Sequence, residues 1–151
     1  MTFFSRKSPR IPKFDYSSSG YYFVTICTYN KNCIFGTTEK LSNFGIIARN
    51  DLYAIEKHFD YVRIDRCVIM PNHIHAIIVL EKSFISNLNL IVGQYKSGVT
   101  RKIREIAPDT QVWQRSYHDH IIRNEKQYQK IWEYIDTNPL RWKEDCFYQN
   151  N

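Results

Sequence analysis

His73 and His75 stand one residue apart in the stretch Val68-Ile69-Met70-Pro71-Asn72-His73-Ile74-His75-Ala76-Ile77-Ile78-Val79-Leu80. Read as two strands meeting at Met70-Pro71-Asn72, the stretch sends residues two apart to one face. Both imidazoles then project together while Ile74 and Ala76 face the other way. Two neutral imidazoles on one face supply two-thirds of a divalent-metal site. The plainer alternative is a pair of solvated or hydrogen-bonded histidines on a sheet. Toward the C-terminus, Tyr134 and Asn138 are four residues apart and share a helix face. A metal held by His73, His75 and one oxygen ligand, which Asn138 could supply, would polarise a phosphodiester. The Tyr134 phenol beside it could then attack phosphorus. A tyrosine at the margin of an apolar stripe also has an ordinary use as packing.

These residues need elements that bring them together. Tyr21-Tyr22-Phe23-Val24-Thr25-Ile26-Cys27-Thr28 is β-branched and aromatic and predicts a first strand. Phe44, Ile47, Ala48, Leu52, Ile55 and Phe59 recur at three- and four-residue spacing, a helix over 43–59 opened by Ser42-Asn43. Residues 62–70 and 73–81 read as two strands of a tight hairpin. A second helix spans 86–106, with Leu88, Ile91, Val92, Tyr95, Val99, Ile103 and Ile106 as its apolar stripe and Lys96, Arg101, Lys102 and Arg104 opposite. A fourth strand is expected from Val112-Trp113-Gln114-Arg115 to Ile122, irregular around His118-Asp119-His120. The last helix opens at Asn124-Glu125 and turns Tyr128, Ile131, Trp132 and Ile135 inward. Asn138-Pro139 ends or bends it. The order is strand, helix, strand, strand, helix, strand, helix. It predicts an α+β fold of the ferredoxin-like (RRM-like) kind: an antiparallel four-stranded sheet, two helices on one face, and a C-terminal helix carrying Tyr134.

A chain of 151 residues with 43% hydrophobic and 15% aromatic content can bury the core of a single domain, taken as 1–151. No run of 18 apolar residues occurs and the N-terminus has no apolar leader, so a cytoplasmic protein with no membrane contact is expected. Cys27, Cys33, Cys67 and Cys146 show no Cys-x-x-Cys pairing, and Cys27 and Cys67 read as small core residues. The net charge of +6 suits an anionic partner, an ordinary basic surface being the alternative. Residues 1–20 form a basic arm in which Arg6, Lys7 and Arg10 could contact phosphates or simply be solvated. With Lys96, Arg101 and Arg115 they make up the candidate DNA-binding set.

Four segments together resemble the single-tyrosine HUH transposases, and within them the REP-associated tyrosine transposases. They are Asp15-Tyr16-Ser17 through Tyr22-Phe23-Val24-Thr25-Ile26-Cys27-Thr28; Met70-Pro71-Asn72-His73-Ile74-His75; Trp113 through Arg123; and Tyr134-Ile135-Asp136-Thr137-Asn138-Pro139-Leu140-Arg141-Trp142. The resemblance implies that His73 and His75 are metal ligands and that Tyr134 forms a 5′-phosphotyrosine with single-stranded DNA. It places Asn138 where other branches often carry Gln as third ligand. It further implies cleavage and rejoining of single-stranded or hairpin DNA with Mg²⁺ or Mn²⁺, in transposition or repeat-element mobilisation. A homodimer is among the implied partners: in some branches one subunit's tyrosine enters the partner's site, whereas REP-associated members can act as monomers.

The rival readings differ in residues. A histidine-triad hydrolase needs a third alternating His where Ile77 stands, and a two-motif phosphoesterase needs a second His-x-Ser or His-x-Thr. A non-catalytic nucleic-acid-binding module with an RRM-like sheet would use Tyr21, Tyr22 and Phe23 for stacking, but adjacent strand residues alternate faces. Tyr117 is the rival nucleophile. His118-Asp119-His120 could assist the metal, orient a phosphate, or be a polar strand end.

Overall fold

The computed structural model describes residues 19–144, 147 and 148, so the arm residues Arg6, Lys7 and Arg10 lie outside the described residues. The elements are β1 (Ser19–Cys27), α1 (Asn43–His58), β2 (Val62–Met70), β3 (His73–Glu81), α2 (Leu88–Ile106), β4 (His118–Ile121) and α3 (Glu125–Thr137). The strands form one antiparallel sheet in the order β2-β3-β1-β4. This is the ferredoxin-like arrangement expected. Among the described residues no helix is long and apolar enough to cross a membrane.

Both faces of the sheet are covered, which explains the unbroken apolar run of β3, buried from His73 to Leu80. Val24, Ile26, Ile74, Ala76, Ile78 and Leu80 face α1 and α2 in the larger core. Tyr21, Ile77 and Val79 face α3, where they meet Tyr128, Trp132 and Ile135. Strand alternation then puts His73 and His75 on the α3 side. Each side has a capped helix to build on. Ser42 Oγ accepts from Gly45 N at 3.1 Å at the start of α1, and Asn124 Oδ1 from Gln127 N at 2.8 Å at the start of α3.

The β2–β3 hairpin closes through Pro71 and Asn72 alone, with Met70 paired to His73. Neither turn residue has positive φ, so the primed turns usual in two-residue hairpins are not used. The loop after β1 holds this turn instead. Phe35 N donates to Pro71 O at 3.0 Å, and Thr28 N and Oγ1 both donate to Asn72 O at 3.0 Å.

β2 carries a bulge: Ile64 pairs with Ile78 and Arg66 with Ile77, leaving Asp65 as the extra residue. Asp65 and Arg66 consequently both turn to α3. Tyr128 Oη donates to Asp65 Oδ2 at 2.6 Å. The Arg66 guanidinium lies 4.6 Å from the centre of the Trp132 ring and pairs with Asp136. The outward N–H of Ile64 is satisfied by Glu56 Oε2 of α1 at 2.6 Å, which closes this sheet edge.

Two expectations are corrected. The fourth strand does not begin at Val112; it is reduced to His118–Ile121, preceded by an isolated bridge between Thr28 and Trp113. The indole is the reason: Trp113 Nε1 donates to Lys96 O of α2 at 3.0 Å, and its ring packs on Phe35 and Tyr95. That docking, and a positive φ of 87° at Ser116, break the extended backbone. Cys67, read as core, is only half-buried, with its thiol donating to Tyr53 Oη at 3.3 Å.

Candidate active site

His73 and His75 sit on the central strand β3 with 0% and 2% exposure. Their ring centres are 4.6 Å apart. A buried imidazole needs its second nitrogen satisfied, and each has a partner at Nδ1. His73 Nδ1 is 2.8 Å from Asn72 Oδ1. The amide orientation is fixed because Asn72 Nδ2 donates to Lys31 O at 3.1 Å and to Phe147 O at 2.7 Å. Oδ1 can only accept, so His73 carries a proton on Nδ1, and in the neutral ring the lone pair is on Nε2. His75 Nδ1 is 2.9 Å from Thr25 Oγ1 of β1, and its buried Nε2 has no hydrogen-bond partner among the described residues. Burial, with the neighbouring His73 adding to it, holds His75 well below the ordinary imidazole range. The ring is therefore neutral, the form that binds metal ions.

α3 brings the other two residues. Tyr128, Trp132 and Ile135 are buried against the sheet, and Tyr134 emerges beside them at 42% exposure. Its ring centre is 5.2 Å from that of His75 and 6.1 Å from that of Phe23, which itself stacks on His75 at 5.1 Å. Asn138 follows one helical turn later in an αR conformation and is 3% exposed, with its Oδ1 fully buried. Among the described residues no cluster of three or more His, Cys, Asp or Glu could hold a metal. The buried donors that these elements carry are the two imidazole Nε2 atoms on β3 and the Asn138 amide oxygen just after α3, the candidate third ligand. This set is neutral, leaving charge to be balanced by substrate phosphate, and it fits a divalent ion in that role.

The C-terminal segment closes the same end of the sheet. The Phe147 ring is 4.4 Å from the His73 ring, and Trp142 is 6.1 Å from it. Arg66 and Phe147 had no signal in the sequence, and Thr25, Asn72 and Asp136 stood there only inside longer matching segments with no role of their own, because each acts through register or a long-range contact.

The remaining sequence candidates divide. Tyr117 belongs to the opposite face: its ring packs against the α1–α2 core, its hydroxyl bonds Asn89 Oδ1, and burial and Asp119 push its phenol up. His118 pairs across β1 with Thr25 and His120 with Phe23, so both exposed imidazoles face the α3 side, while Asp119, opposite Val24, faces away. Lys96 and Arg101 are on α2, behind the sheet from the histidines. The Lys96 ammonium donates to the carbonyls of Gln114 and Ser116, both at 3.0 Å, and Arg101 lines a groove between α1 and α2. Lys102 pairs with Asp51 at 2.5 Å and Arg104 Nε donates to Thr110 O at 3.0 Å, so much of the basic face of α2 is engaged internally. Arg115 is exposed in the segment leading to β4. The stacking platform of an RNA-binding sheet is not available on this face, because Tyr21 and Phe23 pack beneath α3.

Comparison with known proteins bears on the family and the fold. An uncharacterized protein of Haemophilus influenzae is 38% identical over 95% of this chain and 93% of its own length. A second Haemophilus influenzae protein, provisionally named a REP-associated tyrosine transposase, is 24% identical over 84% of this chain and 74% of its own. The fold is similar to that of a REP-associated tyrosine transposase solved with a REP hairpin (TM-score 0.65, 22% identity, 93% of this chain and 74% of that one). It is also similar to a provisionally assigned transposase of Deinococcus radiodurans (TM-score 0.58, 14% identity, 85% and 96%). The family model for IS200-like transposases matches residues 15–138, from before β1 to the residue that follows α3. The chain belongs to the IS200-like transposases, and its broad function is DNA transposition.

Proposed function

We propose that the chain is a metal-dependent endonuclease and strand transferase for single-stranded DNA at hairpin-bearing ends, with Tyr134 as its nucleophile. The observation that carries this reading is the half-exposed Tyr134 ring set 5.2 Å from the buried, neutral His75. The phenol oxygen attacks the scissile phosphorus and forms a new P–O bond, while the bond to the 3′ oxygen breaks. The 3′ oxygen leaves as a hydroxyl, the phenol's proton passes to solvent, and the 5′ side of the DNA stays on the tyrosine. Attack by a 3′ hydroxyl on that linkage rejoins a strand and restores the phenol. A tyrosine with the usual pKa of about 10 is a weak nucleophile near neutrality. A divalent ion, Mg²⁺ or Mn²⁺, held by His73 Nε2, His75 Nε2 and Asn138 Oδ1 would supply stabilisation of the charge developing on the phosphate.

Other features support the substrate and the stoichiometry. A protein of similar fold is described bound to a REP hairpin, which favours hairpin DNA as ligand. Arg115, Arg101 and the basic arm are the remaining candidates for phosphate contacts. Tyr134 lies against His75 of its own chain, so a monomer can complete the site.

The test is Tyr134→Phe, which keeps the ring against Phe23 and His75 and removes only the oxygen. We expect near-normal stability and DNA binding with complete loss of the covalent protein–DNA adduct. Tyr117→Phe retains the adduct. DNA found attached at Tyr117 by mass spectrometry, or an adduct formed by Tyr134→Phe, would overturn the assignment.

A further inference from the structure

A shallow hollow of about 530 Å³, lined by Tyr29, Asn30, Lys31, Gln114 and Arg115, opens at the end of the sheet where β1 stops and β3 begins. Its chemistry is mixed in a telling way: an aromatic ring 43% exposed, two cations and two amides. A ring face accepts any base, cations accept phosphate, and amides can read a base edge.

The hollow is built rather than incidental. Its two walls are tied to the sheet and to each other: Tyr29 N donates to Val112 O and Gln114 N to Cys27 O, both at 3.0 Å. Lys96 braces the second wall from behind through the carbonyls of Gln114 and Ser116. Asn30 and Lys31 both adopt left-handed φ, 52° and 54°. Consecutive non-glycine residues in that region are strained, and such strain concentrates where backbone is held for a ligand. The hollow also adjoins the catalytic residues. Cys27, whose carbonyl accepts from Gln114 N, is the cross-strand partner of His73. The Asn72 side chain bonds His73 Nδ1 with one end and the Lys31 carbonyl with the other.

We infer that this hollow is a subsite for one unpaired nucleotide of the DNA strand flanking the scissile phosphate. The base stacks on Tyr29, and Arg115 with Lys31 takes its phosphate. Gln114 and Asn30 stand at the base edge. The inference deepens the reading of the site as one that cleaves single-stranded DNA and rests on it. It gives Arg115 a defined role and assigns new ones to Tyr29, Lys31, Asn30 and Gln114.

The experiment compares two DNAs, a blunt hairpin and the same hairpin with a single-stranded flank of randomised sequence, bound by the full chain carrying Tyr134→Phe. Tyr29→Ala and Arg115→Ala should each weaken binding of the flanked hairpin about tenfold and leave the blunt one unchanged. Tyr29→Phe should restore the flanked affinity, since it keeps the stacking ring. A fluorescent adenine analogue walked along the flank should be quenched at one position, in Tyr29→Phe but not in Tyr29→Ala. Equal loss for both DNAs, or no position whose quenching depends on Tyr29, would overturn the subsite. Adduct formation by the unsubstituted protein is scored alongside. A missing adduct with the flank dependence intact counts against the tyrosine reading and leaves the subsite standing.

Discussion

The sheet presents two His-x-His pairs to the α3 side, with the same spacing and opposite fates. His73 and His75 lie on β3, between β2 and β1, and are almost wholly buried. His118 and His120 lie on β4, a four-residue edge strand with one neighbour, and both are exposed. Thr25 stands between the pairs: its hydroxyl bonds His75 Nδ1, and its partner on the other side is His118. Spacing decides which face a pair points to; position in the sheet decides what the pair becomes. In the centre, desolvation holds His75 well below the ordinary imidazole range and the acceptor-only Asn72 Oδ1 fixes the proton on His73 Nδ1, which suits the pair to the ligand role proposed for it. At the edge, both rings stand open to water.

The contrast can be broken in three places. The largest effect is expected from the buried pair. His73→Ala or His75→Gln should reduce adduct formation at least about a thousandfold, the scale seen when a charge-stabilising group is removed. The unsubstituted protein should gain melting temperature from Mg²⁺ or Mn²⁺ through linkage, and either change should abolish that gain. Full cleavage by either variant in saturating metal would return the pair to plain packing. A middle effect is expected one shell out. Thr25→Val removes the partner of His75 Nδ1 and should weaken metal binding roughly 10- to 100-fold, read as a shift in the metal concentration that half-saturates cleavage. An unmoved midpoint would mean that the threonine does not orient the ring. The smallest effect belongs to the edge pair. His118→Ala with His120→Ala should change stability by less than about 0.5 kcal/mol in a denaturant titration and should leave the adduct intact. Loss of the adduct there would make the exposed pair part of the chemistry and erase the distinction.

Much of this was legible in the chain because it was written in periodicity. The spans of β2 and β3 follow from two runs separated by Pro71-Asn72, and α1 from its three- and four-residue spacing. The placement of both histidines on one face needed only strand alternation. What periodicity cannot carry is pairing between distant residues. Val112-Trp113 has strand composition, yet Trp113 docks on α2 and the strand starts six residues late. The basic face of α2 looks like a phosphate surface in sequence, but Lys96, Lys102 and Arg104 each find an oxygen within the fold. His118-Asp119-His120 reads as one polar cluster until the register divides it between two faces. The tautomer of His73 rests on Asn72, and the orientation of Asn72 rests on carbonyls at Lys31 and Phe147, far away along the chain.

The bulge in β2 has a consequence for how such an enzyme can change over generations. Asp65 is a single inserted residue on an outer strand, and through it Asp65 and Arg66 together grip Tyr128, Trp132 and Asp136. An outer strand absorbs an added or lost residue without shifting the strands inside it. Sliding or deleting this one residue would move the anchor of α3, and with it the tyrosine, while β1 and β3 kept His73, His75 and Thr25 in place. On the proposed mechanism, the reach of Tyr134 can thus drift under selection independently of His73 and His75, so lineages could retarget the cut without rebuilding the site that makes it.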